Sequence, residues 1–111
     1  MQLNEYQKNA ARTIDQELDG FLGLIHAAMG AAGEAGEMVN EVKKSVFHGH
    51  PNREKIIEEL GDTLWYIAEA ATRLGVALEY IARQNIEKIA ARYPDGFSKA
   101  RSRNREGGTN E

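Results

Sequence analysis

The 111-residue sequence contains no cysteine. Disulfides, thiolate metal sites and cysteine nucleophiles are excluded together. No apolar run approaches the roughly 18 residues that a membrane-spanning helix needs. The N-terminal stretch MQLNEYQKNAARTID is polar and mixed in charge, so it does not read as a signal peptide. The expected location is therefore the cytoplasm. Basic residues are not in excess: 14 Lys and Arg stand against 17 Asp and Glu, a formal charge of −3. That balance argues against nucleic acid as a partner. Proline is scarce, with Pro51 and Pro94 alone, so long segments run without the strongest helix breaker.

What the sequence does contain is helical patterning. At this length one domain is expected, burying roughly 65% of its unfolded surface. A first helix is expected from Asn4 to Leu18, where Leu3, Tyr6, Ala10 and Ile14 recur at helical spacing and Asn4 with Gln7 resembles a capping box. Asp19-Gly20 breaks the pattern. A second helix, Leu22 to Val46, carries the stripe Ile25, Ala28, Ala32, Ala35, Val39, Val42 and Val46. The loop FHGHPN follows, and Asn52 is placed to cap a third helix, Arg53 to Leu74, with Gly75 as its C-terminal cap. The third stripe is Ile57, Leu60, Leu64, Ile67, Ala68, Ala71 and Leu74. A fourth helix, Val76 to Tyr93, ends at the turn Pro94-Asp95-Gly96. Residues 98–111 are polar throughout and are expected to be a poorly ordered tail beyond a domain of residues 1–97. The fold class is all-α, a four-helix bundle. Its alanine- and glycine-rich helices bury little area each, so stability is expected to come from a homodimer or homotetramer.

The informative residues are acidic. Glu34, Glu37 and Glu41 share one face of the second helix; Glu58, Glu59 and Asp62 share one face of the third. Both faces lie nearly opposite the apolar stripes, which is what any solvated helix shows. Two features argue otherwise. The acidic face of the second helix also bears His26 and the glycines 23, 30 and 33, with no Lys or Arg until Lys43. Solvated faces usually interleave lysine with glutamate. Trp65 and Tyr66 follow directly on the acids of the third helix, so an aromatic could stack on a base there. Converging carboxylates repel unless a cation neutralises them, and an all-oxygen donor set suits Mg²⁺, with Mn²⁺ as a substitute. On the fourth helix Asn85, Lys88 and Arg92 fall on one face, placed to meet phosphate oxygens.

At Glu34-Ala35-Gly36-Glu37 and, after 21 residues, Glu59-Leu60-Gly61-Asp62, the sequence resembles the MazG-like nucleotide pyrophosphohydrolases of the all-α NTP pyrophosphatase superfamily. The segments LGDTLWYIA and NIEKIAARYPDGF extend the likeness over residues 3–105. The resemblance implies all-α homo-oligomers that use Mg²⁺ to hydrolyse nucleoside triphosphates, dNTPs included, to monophosphate and pyrophosphate. It implies Glu34, Glu37, Glu59 and Asp62 as metal ligands, with Asn85 and Lys88 by the metals and phosphates. Longer relatives carry glutamate where Asn40 stands, so Asn40 and Glu41 are left outside the ligand set.

Glu34 is the candidate to orient or deprotonate the attacking water, Lys88 the second catalytic candidate, and Arg92 a further phosphate contact. His26 and Trp65 are expected in the base pocket. His48 and His50 read as solvated loop residues. Two other readings compete with this one. A di-iron bundle would need a histidine three residues after a glutamate on these helices, and none is there. A non-catalytic interaction module remains as the alternative, against which stands the intact set of four acids with Lys88.

Overall fold

The computed structural model describes residues 1–107, and every regular element among them is a helix. These are α1 (Leu3–Ala11), α2 (Gly20–His48), α3 (Arg53–Leu74), α4 (Leu78–Arg92) and α5 (Lys99–Gly107). The chain divides into two compact units, Met1–Leu78 and Glu79–Glu111.

The bounds of α3 match expectation residue for residue, because both caps are written locally. The Asn52 side chain accepts a hydrogen bond from the Lys55 amide at 3.2 Å, and Gly75 adopts the left-handed conformation, φ 73°, that terminates the helix. Helix α1 is shorter than expected. It ends at Ala11 rather than Leu18, and its first turn is closed by the Gln2 amide donating to Glu5 at 3.4 Å, not by Asn4 with Gln7. Past Ala11 the side chains compete for backbone groups. The Thr13 hydroxyl bonds the Ala10 carbonyl at 2.8 Å, and Asp15 accepts from the Glu17 amide at 2.9 Å. Gln7 instead ties α1 to the end of the unit: it donates to the Val76 carbonyl (2.9 Å) and accepts from the Leu78 amide (2.7 Å).

Within Met1–Leu78, α2 and α3 pack along their lengths and α1 lies on α3. The buried core is small: Ala10, Ala68, Ala71 and Leu78, flanked by Tyr6, Trp65 and Val76. The faces are inverted relative to the expected core. The seam between α2 and α3 buries Gly23, Ala27, Glu59 and Glu69. Most of the apolar stripe residues are exposed, Val39 at 60%, Val46 at 78% and Leu60 at 51% among them.

Two glycines of α2 explain this inversion. A Cβ at Gly30 would lie 2.1 Å from Cε1 of Tyr66, and one at Gly23 would lie 2.2 Å from a guanidinium nitrogen of Arg73. Each glycine is therefore a notch into which a large α3 side chain seats.

In the second unit, α4 ends at Arg92, one residue before the expected Tyr93; the Tyr93 carbonyl accepts from the Gly96 amide at 3.1 Å, with Gly96 at φ 91°. Part of the segment expected to be an irregular tail is helical, since α5 occupies 99–107. No proline or glycine interrupts residues 98–106, and the Ser98 hydroxyl accepts from the Arg101 amide at 3.4 Å. The remainder of that tail, 108–111, lies outside the described residues.

The notches make opposite predictions for two glycine-to-alanine changes. Gly30→Ala should destabilise by about 1–2 kcal/mol, because displacing the Tyr66 ring outweighs the gain in helix propensity. Gly36→Ala, whose Cβ would meet nothing within 4 Å, should stabilise by about 0.5–1 kcal/mol. Urea unfolding in EDTA, compared with wild type, reads both signs.

Candidate metal and nucleotide site

Three of the four acids expected from the sequence converge on the seam. Glu34 of α2 with Glu59 and Asp62 of α3 offer carboxylate oxygens that all lie within 4.8 Å of one another, the group of three such ligands found among the described residues. Glu59 is buried at 4% exposure, Glu34 is half-buried and Asp62 is exposed, so the cluster opens to solvent on one side. A hydrogen bond shared with Glu59 raises the Glu34 pKa above the ordinary carboxylate value, reinforced by burial and by the charges of Glu59, Asp62 and Glu37. Glu37 is exposed and acts on Glu34 through its charge, without placing an oxygen within the 4.8 Å group.

Two residues that the sequence reasoning missed face these acids. Lys55 Nζ sits 3.4 Å from oxygens of both Glu58 and Glu59, and those carboxylates raise its pKa, Glu58 most. Its signal was the i,i+4 spacing to Glu59, which reads as an ordinary surface pair. Tyr6 of α1 has its pKa raised by burial and then by the Asp62 charge.

The donor set fits a hard divalent cation. Lys55 reaches one oxygen of Glu59; the other, Oε2, is buried with no hydrogen-bond partner. A buried carboxylate oxygen left bare is costly, and a cation in contact with it removes that cost. Glu34, Glu59 and Asp62 would hold the ion, with Glu37 on the adjacent turn of α2.

Farther along the seam the structure places His26 against Glu69. The imidazole Nδ1 lies 3.0 and 3.1 Å from the two carboxylate oxygens. Glu69 is 1% exposed and also accepts from Arg73 Nε at 2.7 Å. Arg73 in turn donates to the carbonyls of Leu18 and Asp15, pinning the 12–19 loop. Sequence reasoning missed this pair too, because Glu-x-x-x-Arg within a helix looks like a solvated ion pair.

The ring nearest His26 is Tyr66, with centroids 5.8 Å apart. Trp65, expected in the base pocket, packs edge-on to Tyr66 at 5.0 Å and donates its indole N–H to Thr13 at 2.9 Å. Asn85 and Lys88 are exposed on α4, with Arg92 half-buried in its last turn. His48 and His50 are exposed and line a cleft of about 550 Å³ at the α2–α3 turn, with Lys44, Arg53 and Lys55.

This all-α architecture gathers acids of two helices into a cluster that could hold a metal ion. The chain belongs to the MazG nucleotide pyrophosphohydrolase family: the model of the MazG nucleotide pyrophosphohydrolase domain matches residues 25–97. The chain is 35% identical over 94 residues to the Gene 37 protein of Mycobacterium phage L5, covering 80% of this chain and 82% of the phage protein. No solved structure gives a significant match. The family is metal-dependent and its domain implies a nucleotide substrate. No helix among the described residues is long and apolar enough to cross a membrane.

Thermal melts test the cluster directly. Mg²⁺ should stabilise the wild type by about 2.7 kcal/mol at a hundredfold excess over Kd. Asp62→Asn should melt no lower than wild type in EDTA, since it removes repulsion, yet should lose most of the Mg²⁺ effect. Equal Mg²⁺ shifts in the two proteins at matched ionic strength would exclude these residues as a metal site.

Proposed function

We propose that the protein is a Mg²⁺-dependent hydrolase of nucleoside triphosphates, dNTPs among them, yielding nucleoside monophosphate and pyrophosphate in nucleotide-pool control or house-cleaning. The observation that carries this reading is the convergence of Glu34, Glu59 and Asp62 around the bare buried oxygen of Glu59. Family membership supports the same reading. A bound Mg²⁺, which Mn²⁺ can replace, supplies polarisation of the scissile phosphate and acidification of water.

The chain's own residues do the rest. Glu34, whose proton affinity is raised by its neighbours, orients the attacking water or takes its proton at a carboxylate oxygen. Glu37 completes the ligand set. Asn85, Lys88 and Arg92 bind phosphate oxygens, with Lys88 countering charge on the group under attack. His26 and Tyr66 line the base pocket, and Trp65 backs Tyr66 from the core side.

The exposed apolar stripes support a homodimer or a homotetramer, in which a second copy covers them. The cytoplasm, where nucleotide pools lie, is the proposed location.

Product analysis on a panel of NTPs and dNTPs with Mg²⁺ tests the activity: monophosphate and pyrophosphate are expected, and diphosphate products or none would reject it. Glu37→Gln and Asp62→Asn should each lower kcat by about a hundredfold or more with helicity intact. Lys88→Ala should cost about tenfold or more in kcat/KM while the Mg²⁺ shift in Tm persists. An unchanged kcat/KM would place Lys88 on a solvated face. Light scattering at micromolar concentration should give two or four chains; a monomer would contradict the covered-stripe reading.

A further inference from the structure

The buried Glu69–Arg73 pair is expensive, because two charges leave water for a seam with little room. Its position suggests what it serves. Glu69 accepts from Arg73 Nε, and a carboxylate can only accept hydrogen bonds, so the hydrogen shared with His26 resides on Nδ1. In the neutral ring Nε2 then bears the lone pair, and no described residue partners it. The His26 side chain is 39% exposed, so Nε2 is open to a ligand.

The seam also sets the distance. His26 precedes Glu34 by eight residues, about 12 Å along α2. The Tyr66 ring, seated in the Gly30 notch, lies between the two. A nucleotide with its phosphates at the acids and its sugar beside Tyr66 would bring its base to His26.

We propose that Glu69 and Arg73 are positioning residues that fix His26 as a hydrogen-bond acceptor, so that the site selects bases presenting an exocyclic amino group over those presenting a carbonyl at the same place. This rests on the nucleotide-hydrolase reading above. An amino group donates to Nε2, whereas a carbonyl there sets two acceptors against each other.

The test uses pairs alike in shape, dCTP against dUTP and dATP against dITP, with the full chain and Mg²⁺. Wild type should favour the amino member of each pair by about tenfold in kcat/KM, the size that one half-exposed hydrogen bond supports. His26→Phe keeps a ring but no acceptor and should bring both ratios within about twofold of unity. Glu69→Gln can donate to Nδ1 and move the hydrogen to Nε2, so it should lower the ratios toward or past unity. A general structural lesion would instead slow both members equally.

Wild-type ratios near unity, or ratios unchanged in His26→Phe, would overturn the proposal; ratios unchanged in a folded Glu69→Gln would overturn the positioning role. Should Glu69→Gln fail to fold, His26→Phe decides. If the wild type hydrolyses no nucleotide, the hydrolase reading fails, and calorimetry with dCMP and dUMP still tests this one. Tighter dCMP binding that is lost in His26→Phe supports it, and equal binding overturns it.

Discussion

Carboxylates pressed against one another along the α2–α3 seam are the constraint on which the rest of this molecule turns. Glu34, Glu59 and Asp62 share a space small enough for one cation, and Glu59 enters it almost completely buried. Like charges at this range oppose folding unless something offsets them. The chain supplies a partial offset through Lys55 on one oxygen of Glu59. The second oxygen of Glu59 is left bare, where a divalent ion would remove the cost of its burial. The repulsion within the cluster is thus the same property that would draw a cation to it.

Bringing the acids together requires the helices to approach closely, and that explains the glycines. Gly30 and Gly23 are poor helix residues, yet each admits an α3 side chain, Tyr66 or Arg73, that no other residue would leave room for. The seam is therefore lined in sequence by clustered acids, an aromatic ring, and a histidine beside a buried ion pair. Arg73 extends the order to the 12–19 loop through two backbone carbonyls, so the seam organises segments of the unit that carry no ligands themselves.

A seam filled with acids and small residues leaves the large apolar side chains elsewhere. Ile25, Val39, Val42 and Val46 on α2, and Ile57, Leu60 and Leu64 on α3, stand exposed. The buried core of the unit is three alanines and one leucine. At about 25 cal/mol per Å² of apolar burial, such a core contributes little. In the homo-oligomer proposed above, a second copy would cover these stripes and leave the acidic cluster on the other side of the helices.

Much of this was legible in the residues. Asn52 and Gly75 bounded α3 because caps act over a few neighbouring residues. The convergence of Glu34, Glu59 and Asp62 followed from helical periodicity and from the family motif, since spacing sets which residues share a face. The end of α1 was not legible, because Thr13 and Asp15 decide it by hydrogen bonds that compete with a permissible helix. The polarity of the core was only half legible: the glycines and missing lysines marked the acidic face of α2 as unlike a solvated one, without saying that α3 covers it. Periodicity locates an apolar stripe and an acidic face but not which of them meets the neighbouring helix; that depends on whether Tyr66 and Arg73 find their notches. Glu69 with Arg73, and Lys55 with Glu59, read as surface pairs because i,i+4 spacing is the same whether a pair is solvated or buried. By itself the sequence determined the long helices α2 to α4 to within a few residues, the acids and their shared faces, which are local and periodic properties of one chain segment. Tertiary structure alone decided which face is inside and which ion pairs are dry, because burial is a relation between segments that no single segment encodes.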